Sequence, residues 1–373
     1  MDSKITICVC GGGSLGTVIA GVAATAGHRV NILTGRPSRW GRNLTVTDPE
    51  GRIFEGPLNK VSDKPSDVIP SADMVFLCLP GYAIHEELTR IKPYLSEQAI
   101  VGSVFCSTGF FIMAMDVLGD RTGLFGFQRV PFISRVTEYG HSANLLGYKK
   151  SLNVAFWNIQ DEEYYVGLLS GLLLTPVSKF GHPLDVTMTN SNPILHPARL
   201  YSLFSDYDSS HPFLEPPLFY EDWTVESSEI LIACDREFQD VVKAVGIKEG
   251  IIPTLLEYYE SKDADSLAAK LRSITAFKGI YAPTVRQEDG TFAPDYDNRY
   301  FSEDIPYGLM LIRYMAQLMA INTPAIDRII HWYEGLSGKR LLDGDLIARN
   351  DDTASIKCLN REVIQRLIDS HHG

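Results

Sequence analysis

Apolar positions near the start of the chain fall in short continuous runs, the pattern of strands buried on both faces. Ile5-Thr6-Ile7-Cys8-Val9-Cys10 is the first and His28-Arg29-Val30-Asn31-Ile32-Leu33 the second. Between them lie Gly11-Gly12-Gly13-Ser14-Leu15-Gly16 and a small-residue stretch, Thr17 to Ala26, with helical character. Strand, glycine turn, helix, strand is the order of a dinucleotide-binding βαβ unit. Further apolar runs predict strands at Ala72 to Pro80, Ala99 to Ser103, Leu124 to Arg129 and Val154 to Trp157. Ile53 to Val61 reads as short strand pieces broken at Gly56-Pro57, and Ala83 to Tyr94 as a helix. Such alternation predicts a doubly wound parallel sheet.

Beyond Pro183 strand signals thin out. Helical patterns cover Glu226 to Ala244, Ile252 to Tyr259, Ala264 to Ser273, Tyr307 to Ile321, Pro324 to Leu336 and Asn360 to Asp369. Thr323-Pro324 reads as a hydroxyl cap followed by proline at the first helical position. Apolar residues surround most of the Tyr307 to Ala320 pattern, which predicts a central helix. The expected fold is α/β: an N-terminal Rossmann-like doubly wound parallel sheet over 1–182, then an all-α domain over 183–373.

Composition narrows the function classes. With 373 residues, 45% hydrophobic and 21% charged, the chain can build two ordinary globular cores. A net charge of −12 disfavours nucleic acid and anionic membranes as partners, so an anionic ligand needs a local basic cluster. No apolar stretch is long enough to cross a bilayer. Cys8, Cys10, Cys78, Cys106, Cys234 and Cys358 are scattered, without a metal-ligand spacing, so reduced thiols and no metal are expected. The chain enters its first strand without a basic-then-apolar leader, and a cytoplasmic protein is expected.

Each turn glycine has a task in a dinucleotide site. Gly11 permits the tight turn, Gly13 the approach of a pyrophosphate, and Gly16 close helix–strand packing. Gly12, Ser14 and Leu15 complete the expected phosphate contacts at the helix N-terminus; a glycine turn that binds nothing is the alternative. The second strand ends at Thr34, without the acid that holds a ribose 2′-hydroxyl in NAD-selective folds. Arg36, Arg39 and Arg42 follow within a few residues, which suits a 2′-phosphate. NADP(H) is therefore expected over NAD(H), against the alternative of a solvated basic loop. Pro80-Gly81 and Ser107-Thr108-Gly109 follow predicted strands and are candidates for the nicotinamide end.

Two polar stretches of the second domain carry candidate chemistry. In Asn190 to Arg199, His196 sits between Ile194-Leu195 and Pro197, and the proline is expected to steer it out of helical dihedrals. In Asp297 to Pro306, Arg299 and Asp304 precede the central helix, where Asp304 could serve simply as its cap. His196 taken alone is equally compatible with a satisfied structural histidine. Together the groups make sense beside a hydride donor: a histidine to move a proton, a carboxylate to fix its tautomer, an arginine to hold a substrate carboxylate.

The chain resembles the octopine/nopaline dehydrogenases, the opine dehydrogenase family, over nearly its full length. The resemblance rests on the glycine fingerprint, Leu79-Pro80 to His85, Phe127 to Arg135 ahead of Tyr139-Gly140, Asn192 to Pro197, and Arg299 with Asp304-Ile305-Pro306-Tyr307-Gly308-Leu309. It implies a reductive condensation in which an amino acid and a 2-oxo acid form an imine that NAD(P)H reduces. It also implies that His196 and Asp304 are the catalytic pair and that Arg299 binds substrate in a cleft between the domains. The segment Pro131 to Arg135, with Ser134 and Arg135, is implied near the amino-acid substrate. Some members carry cysteine where Ser134 stands, so the amino-acid preference does not carry over.

Two rivals remain at the level of sequence. One is a simple 2-oxo acid or ketopantoate-type reductase, which would rely on a lysine; Lys243, Lys248 and Lys278 lie in no matching motif. The other is a non-enzymatic NADP-binding sensor. A homodimer is compatible with the sequence, which does not fix the oligomeric state.

Overall fold

The computed structural model describes residues 4–372. The chain divides into two compact units, 1–187 and 188–373.

The first unit is built on an eight-stranded sheet. Its strands are β1 (Thr6–Cys10), β2 (Arg29–Leu33), β5 (Lys60–Ser62), β6 (Met74–Leu77), β7 (Ile100–Ser103), β8 (Gly123–Phe127), β11 (Leu152–Trp157) and β12 (Val177–Lys179). They run in the order β12-β11-β8-β7-β6-β1-β2-β5. All neighbours pair parallel except β11, which is antiparallel to β8. The strands predicted from apolar runs are all present. Every residue of β1, β6 and β7 is buried, as expected of central parallel strands covered on both faces.

A second sheet was not visible in the pattern. β3 (Asn43–Thr47), β4 (Ile53–Pro57), β9 (Phe132–Glu138) and β10 (Ser142–Tyr148) form a four-stranded layer ordered β4-β3-β10-β9. The two strand pieces expected over 53–61 are β4, which ends on Gly56-Pro57, and β5, which starts at Lys60 in the other sheet. The layer covers the outer side of helix Ser14–Thr25, all of whose residues from Gly16 to Ala24 are buried. A Cβ on Gly21 would stand 2.6 Å from Val46 Cγ2, and one on Gly56 would stand 2.5 Å from the Ala24 carbonyl carbon. The small-residue composition of this helix thus follows from having a sheet on each side.

The glycine turn is equally constrained. Gly11 adopts φ +111°, and a Cβ there would meet the Cys78 carbonyl oxygen at 2.6 Å. A Cβ on Gly16 would lie 2.3 Å from the Gly11 carbonyl oxygen.

The second unit is helical, with two small ribbons, Thr284–Arg286 with Phe292–Pro294 and Leu342–Asp343 with Leu346–Ile347. Its hub is helix Val225–Ala244, against which helices Asn192–Phe204, Ala264–Ser273, Met310–Leu318 and Pro324–Ser337 pack. The pattern predicted instead a central helix over 307–321. That stretch is divided into a π-helical segment, Ile305–Leu309, and an α-helix, Met310–Leu318.

Local capping also differs. The Thr323 side chain caps no N–H of helix Pro324–Ser337. The Glu237 carboxylate, on the hub helix, accepts from the Ala325 and Ile326 N–H groups instead. Pro324 has no N–H to offer, so the first donors to satisfy are those a long acid reaches from the neighbouring helix.

Gly16→Ala should destabilise the protein by about 1–3 kcal/mol, because the new methyl has backbone above it and cannot be accommodated by a side-chain movement. Urea denaturation measures this, and an unchanged midpoint would contradict the close helix–strand approach.

Candidate active site

The first unit presents a cavity of about 310 Å³ at the C-terminal ends of β1, β2 and β6. Gly11, Gly12, Thr34, Arg36, Leu79, Glu87, Arg90 and Tyr139 are among its lining residues. Helix Ser14–Thr25 begins at this turn from an extended Gly13, with no capping side chain and no acid in its first turn. Its positive end is therefore uncompensated, as an anion site requires. A Cβ on Gly13 would meet no protein atom within 4 Å, so the space above the turn is open. Ser14 Oγ accepts from the Val136 N–H at 3.1 Å, which ties the turn to β9.

At the end of β2 the Thr34 hydroxyl pairs with Tyr139 OH at 3.0 Å. Arg36 lines the cavity and forms no ion pair among the described residues, whereas the Arg39 guanidinium lies 5.2 Å from the Tyr139 ring centroid. Glu87, Arg90 and Tyr139 line the cavity without having been among the expected contacts. Arg90 donates to Glu87 Oε2 at 2.6 Å and to the Asp63 carbonyl at 2.9 Å. Burial raises the Glu87 carboxyl above its usual range, and Arg90 opposes the rise. Tyr139 reaches the site from the β9–β10 turn, which no strand–helix alternation foretells. Pro80 begins helix Gly81–Ile91 as its N-cap, next to Leu79. Ser107 and Thr108 are buried with hydroxyls that have no protein partner. An open glycine turn, a bare helix N-terminus, a free arginine and orphaned hydroxyls after a neighbouring strand together fit a dinucleotide.

Ser134 and Arg135 lie on β9, also in the first unit. Ser134 is buried, while Arg135 is exposed and donates to the Ser134 carbonyl at 3.1 Å.

In the second unit, His196 lies inside helix Asn192–Phe204, contrary to the expectation that Pro197 would hold it out of one. Pro197 is tolerated because it is close to the N-terminus, so the carbonyl it leaves without a donor belongs to the first turn. Asp304 stands at the start of the π-helical segment, but its side chain caps nothing there. Gly308 brings the two segments together, since a Cβ on it would stand 2.9 Å from Pro193 Cβ. With that approach, Asp304 Oδ2 lies 2.8 Å from His196 Nδ1. A carboxylate only accepts, so Nδ1 carries a proton and donates it.

The imidazole is fixed on its other sides too. Its ring stacks on Tyr300 at 4.3 Å between centroids and meets the edge of Phe219 at 5.6 Å. Nε2 lies 3.3 Å from the Tyr220 hydroxyl. Arg299, one residue before the stacked tyrosine, is exposed, forms no ion pair among the described residues, and holds its guanidinium 5.7 Å from the Tyr300 ring centroid. An exposed guanidinium on the residue next to the tyrosine that stacks on His196 is a ready partner for a carboxylate.

The aromatic wall depends on Arg199, three residues after His196 on the same helix. Only 1% exposed, it donates to the carbonyls of Leu218, Phe219 and Asp222 and to Ser227 Oγ. Burial pulls its guanidinium down to about 10, with Asp222 opposing. It is thus committed to holding the 218–222 loop that carries Phe219 and Tyr220. Nothing in the local sequence marked Phe219 and Tyr220, because their places are set by this long-range fork of hydrogen bonds.

The comparisons with known proteins follow the same division. Residues 179–337 match the family model described as NAD/NADP octopine/nopaline dehydrogenase, alpha-helical domain, and 7–105 match that of the ketopantoate reductase PanE/ApbA. The opine dehydrogenase of Haliotis discus hannai is 29% identical over 98% of each chain. An uncharacterized protein of Sinorhizobium fredii is 30% identical, covering 90% of this chain and 95% of its own. Among solved structures, octopine dehydrogenase with NADH and L-arginine superposes with a TM-score of 0.85 at 26% identity, over 98% of this chain and 97% of that one. The chain belongs to the opine dehydrogenase family. It is an oxidoreductase of that family, and the ketopantoate-reductase likeness at the level of family models is confined to the dinucleotide-binding half. Among the described residues no three His, Cys, Asp or Glu side chains are grouped to hold a metal ion, and no helix is long and apolar enough to cross a membrane.

Arg199→Met should cost this family member about 3 kcal/mol or more of stability, since it leaves several buried carbonyls without donors. Denaturant unfolding reads the loss, and a variant as stable as the parent would show that the fork does not hold the loop.

Proposed function

We propose that the protein reductively condenses the amine of an amino acid with a 2-oxo acid to a secondary amine dicarboxylate, preferring NADPH. The observation that carries this reading is the 2.8 Å contact between His196 Nδ1 and Asp304 Oδ2, with the unpaired Arg299 in the same segment. A reductase needs a proton-active group, and condensation also needs a carboxylate grip that leaves the carbonyl carbon open to an amine.

The residues divide the work as follows. Arg299 holds the 2-oxo acid carboxylate in a two-point grip. Asp304 accepts from Nδ1–H, keeps the imidazole in one tautomer and stabilises it when charged. His196 supplies the proton with which the carbinolamine oxygen leaves as water, and in the reverse direction recovers it. Ser134 and Arg135 are assigned to the amino-acid substrate, with Arg135 offering the exposed charge. Gly11, Gly12, Gly13, Ser14, Leu15 and Gly16 would hold the pyrophosphate of the cofactor, and Thr34, Arg36, Arg39 and Pro80 its adenosine and nicotinamide flanks. When bound, the nicotinamide supplies the hydride that reduces the imine carbon.

NADPH preference rests on the absence of an acid at Thr34 and on Arg36, which faces the cavity without a counter-ion. The thiols of all six cysteines are free and mostly buried, which suits a reducing cytosol.

A matrix of amino acids against 2-oxo acids, followed by nicotinamide absorbance, tests the reaction: turnover should require both partners, and reduction of an oxo acid alone would contradict it. In the active pair, His196→Ala should lower kcat by about a hundredfold or more with cofactor affinity kept. Arg299→Ala should mainly raise KM for the oxo acid, and wild-type kinetics in either variant would remove that residue from its role. Arg36→Ala should reduce the NADPH over NADH ratio of kcat/KM by about tenfold, the scale of one charge-assisted hydrogen-bond pair; equal use of both cofactors by the parent would refute the preference.

A further inference from the structure

Both ring nitrogens of His196 are engaged within the second unit. Nδ1–H is given to Asp304, so in the neutral ring Nε2 is the acceptor and the Tyr220 hydroxyl donates to it. Tyr220 is 6% exposed, stacked on Phe277 at 4.0 Å and parallel to Trp223. Phenylalanine would serve that packing equally well, so packing does not explain the hydroxyl. Among the described residues its hydrogen-bond partner is Nε2, and the oxygen keeps further capacity.

We propose that Tyr220 is the group through which His196 exchanges its proton with substrate, completing an Asp304–His196–Tyr220 relay; this rests on the condensation reading above. In the condensing direction the Tyr220 O–H bond breaks as its proton passes to the carbinolamine oxygen. The C–O bond breaks, water leaves, and the nitrogen lone pair forms the C=N bond. The Nε2–H bond of the imidazolium breaks in turn, its proton restores the tyrosine hydroxyl, and its electron pair returns to Nε2. Tyr220 ends unchanged and His196 ends neutral.

The surroundings require the two transfers to be coupled. Burial, with Tyr300, Tyr259 and Asp304 nearby, pushes the Tyr220 phenol well above its ordinary value. A free phenolate is therefore disfavoured there, and the hydroxyl gives its proton only as His196 replaces it. The 3.3 Å separation is one that tightens as charge develops.

The test is Tyr220→Phe in the full chain, which keeps the ring and removes the oxygen. With the amino acid and oxo acid pair found active, kcat should fall about a hundredfold or more while both KM values stay within about threefold. Rates in H₂O/D₂O mixtures should bow for the parent, as two protons move together, and become linear in the variant. A kcat within about threefold of the parent would overturn the relay. A second readout is independent of turnover, so it separates failure of the relay from failure of the condensation reading. In ¹⁵N-histidine-labelled protein, with His196 assigned by His196→Gln, the neutral ring should be the Nδ1–H tautomer. Its Nε2 signal should move towards that of a free imine nitrogen in Tyr220→Phe while the other histidines stay in place. An Nε2–H tautomer in the parent, or an unmoved Nε2 signal in the variant, would overturn the proposal.

Discussion

The chemistry of the helical unit depends on one steric contact, the seating of Gly308 against Pro193. A side chain at 308 would push the π-helical segment off the first turn of helix Asn192–Phe204. Asp304 and His196 would then lose the 2.8 Å separation that gives the imidazole its tautomer. A π-helical segment at this place follows the general habit of such segments to occur at functional sites. Here it is the price of directing a carboxylate sideways to a histidine while the helix continues as Met310–Leu318.

The dinucleotide unit uses the same device of close backbone approach for another purpose. Gly16 lies under the Gly11 carbonyl, and the helix that follows is made of small residues because sheets cover it on both sides. The outcome is a helix N-terminus held rigidly at the mouth of the cavity, without acid or cap, where an anion is favoured. Arg199 does the equivalent in the other unit, using a buried cation rather than small residues to place the Phe219–Tyr220 wall.

Sequence patterns exposed the elements whose signals are local. The runs at β1, β2, β6 and β7 and the fingerprint glycines were legible because each depends on its own neighbours. The β3–β4–β9–β10 layer was not recognisable as a sheet, although its β4 lay in a stretch read as strand, since many of its residues face solvent and its two hairpins join through β3 and β10, about a hundred residues apart. His196, Arg299 and Asp304 stood out by residue type, and the structure brings the histidine and aspartate into contact. Only the helical setting of His196 departs from the expectation, because Pro197 lies close enough to the helix start to be tolerated. Tyr220 and Arg90 had no sequence signal and Tyr139 entered only through the family resemblance, as each is brought to its site by a long-range hydrogen bond or turn. The hub helix Val225–Ala244 was predicted, but its rank was hidden by polar residues such as Asp235 and Glu237, which bond to neighbouring backbone instead of facing water.

Everything in the proposed reaction turns on hydride reaching a carbon that joins an amine to a carboxylate. The most direct measurement uses ¹⁵N-labelled amino acid, 2-oxo acid and NADPH deuterated at the transferable position, with the product analysed by mass spectrometry and NMR. A single secondary amine dicarboxylate carrying both labels is expected, with deuterium on the carbon bonded to nitrogen. A deuterated hydroxy acid without ¹⁵N would contradict it and make the protein a simple oxo-acid reductase.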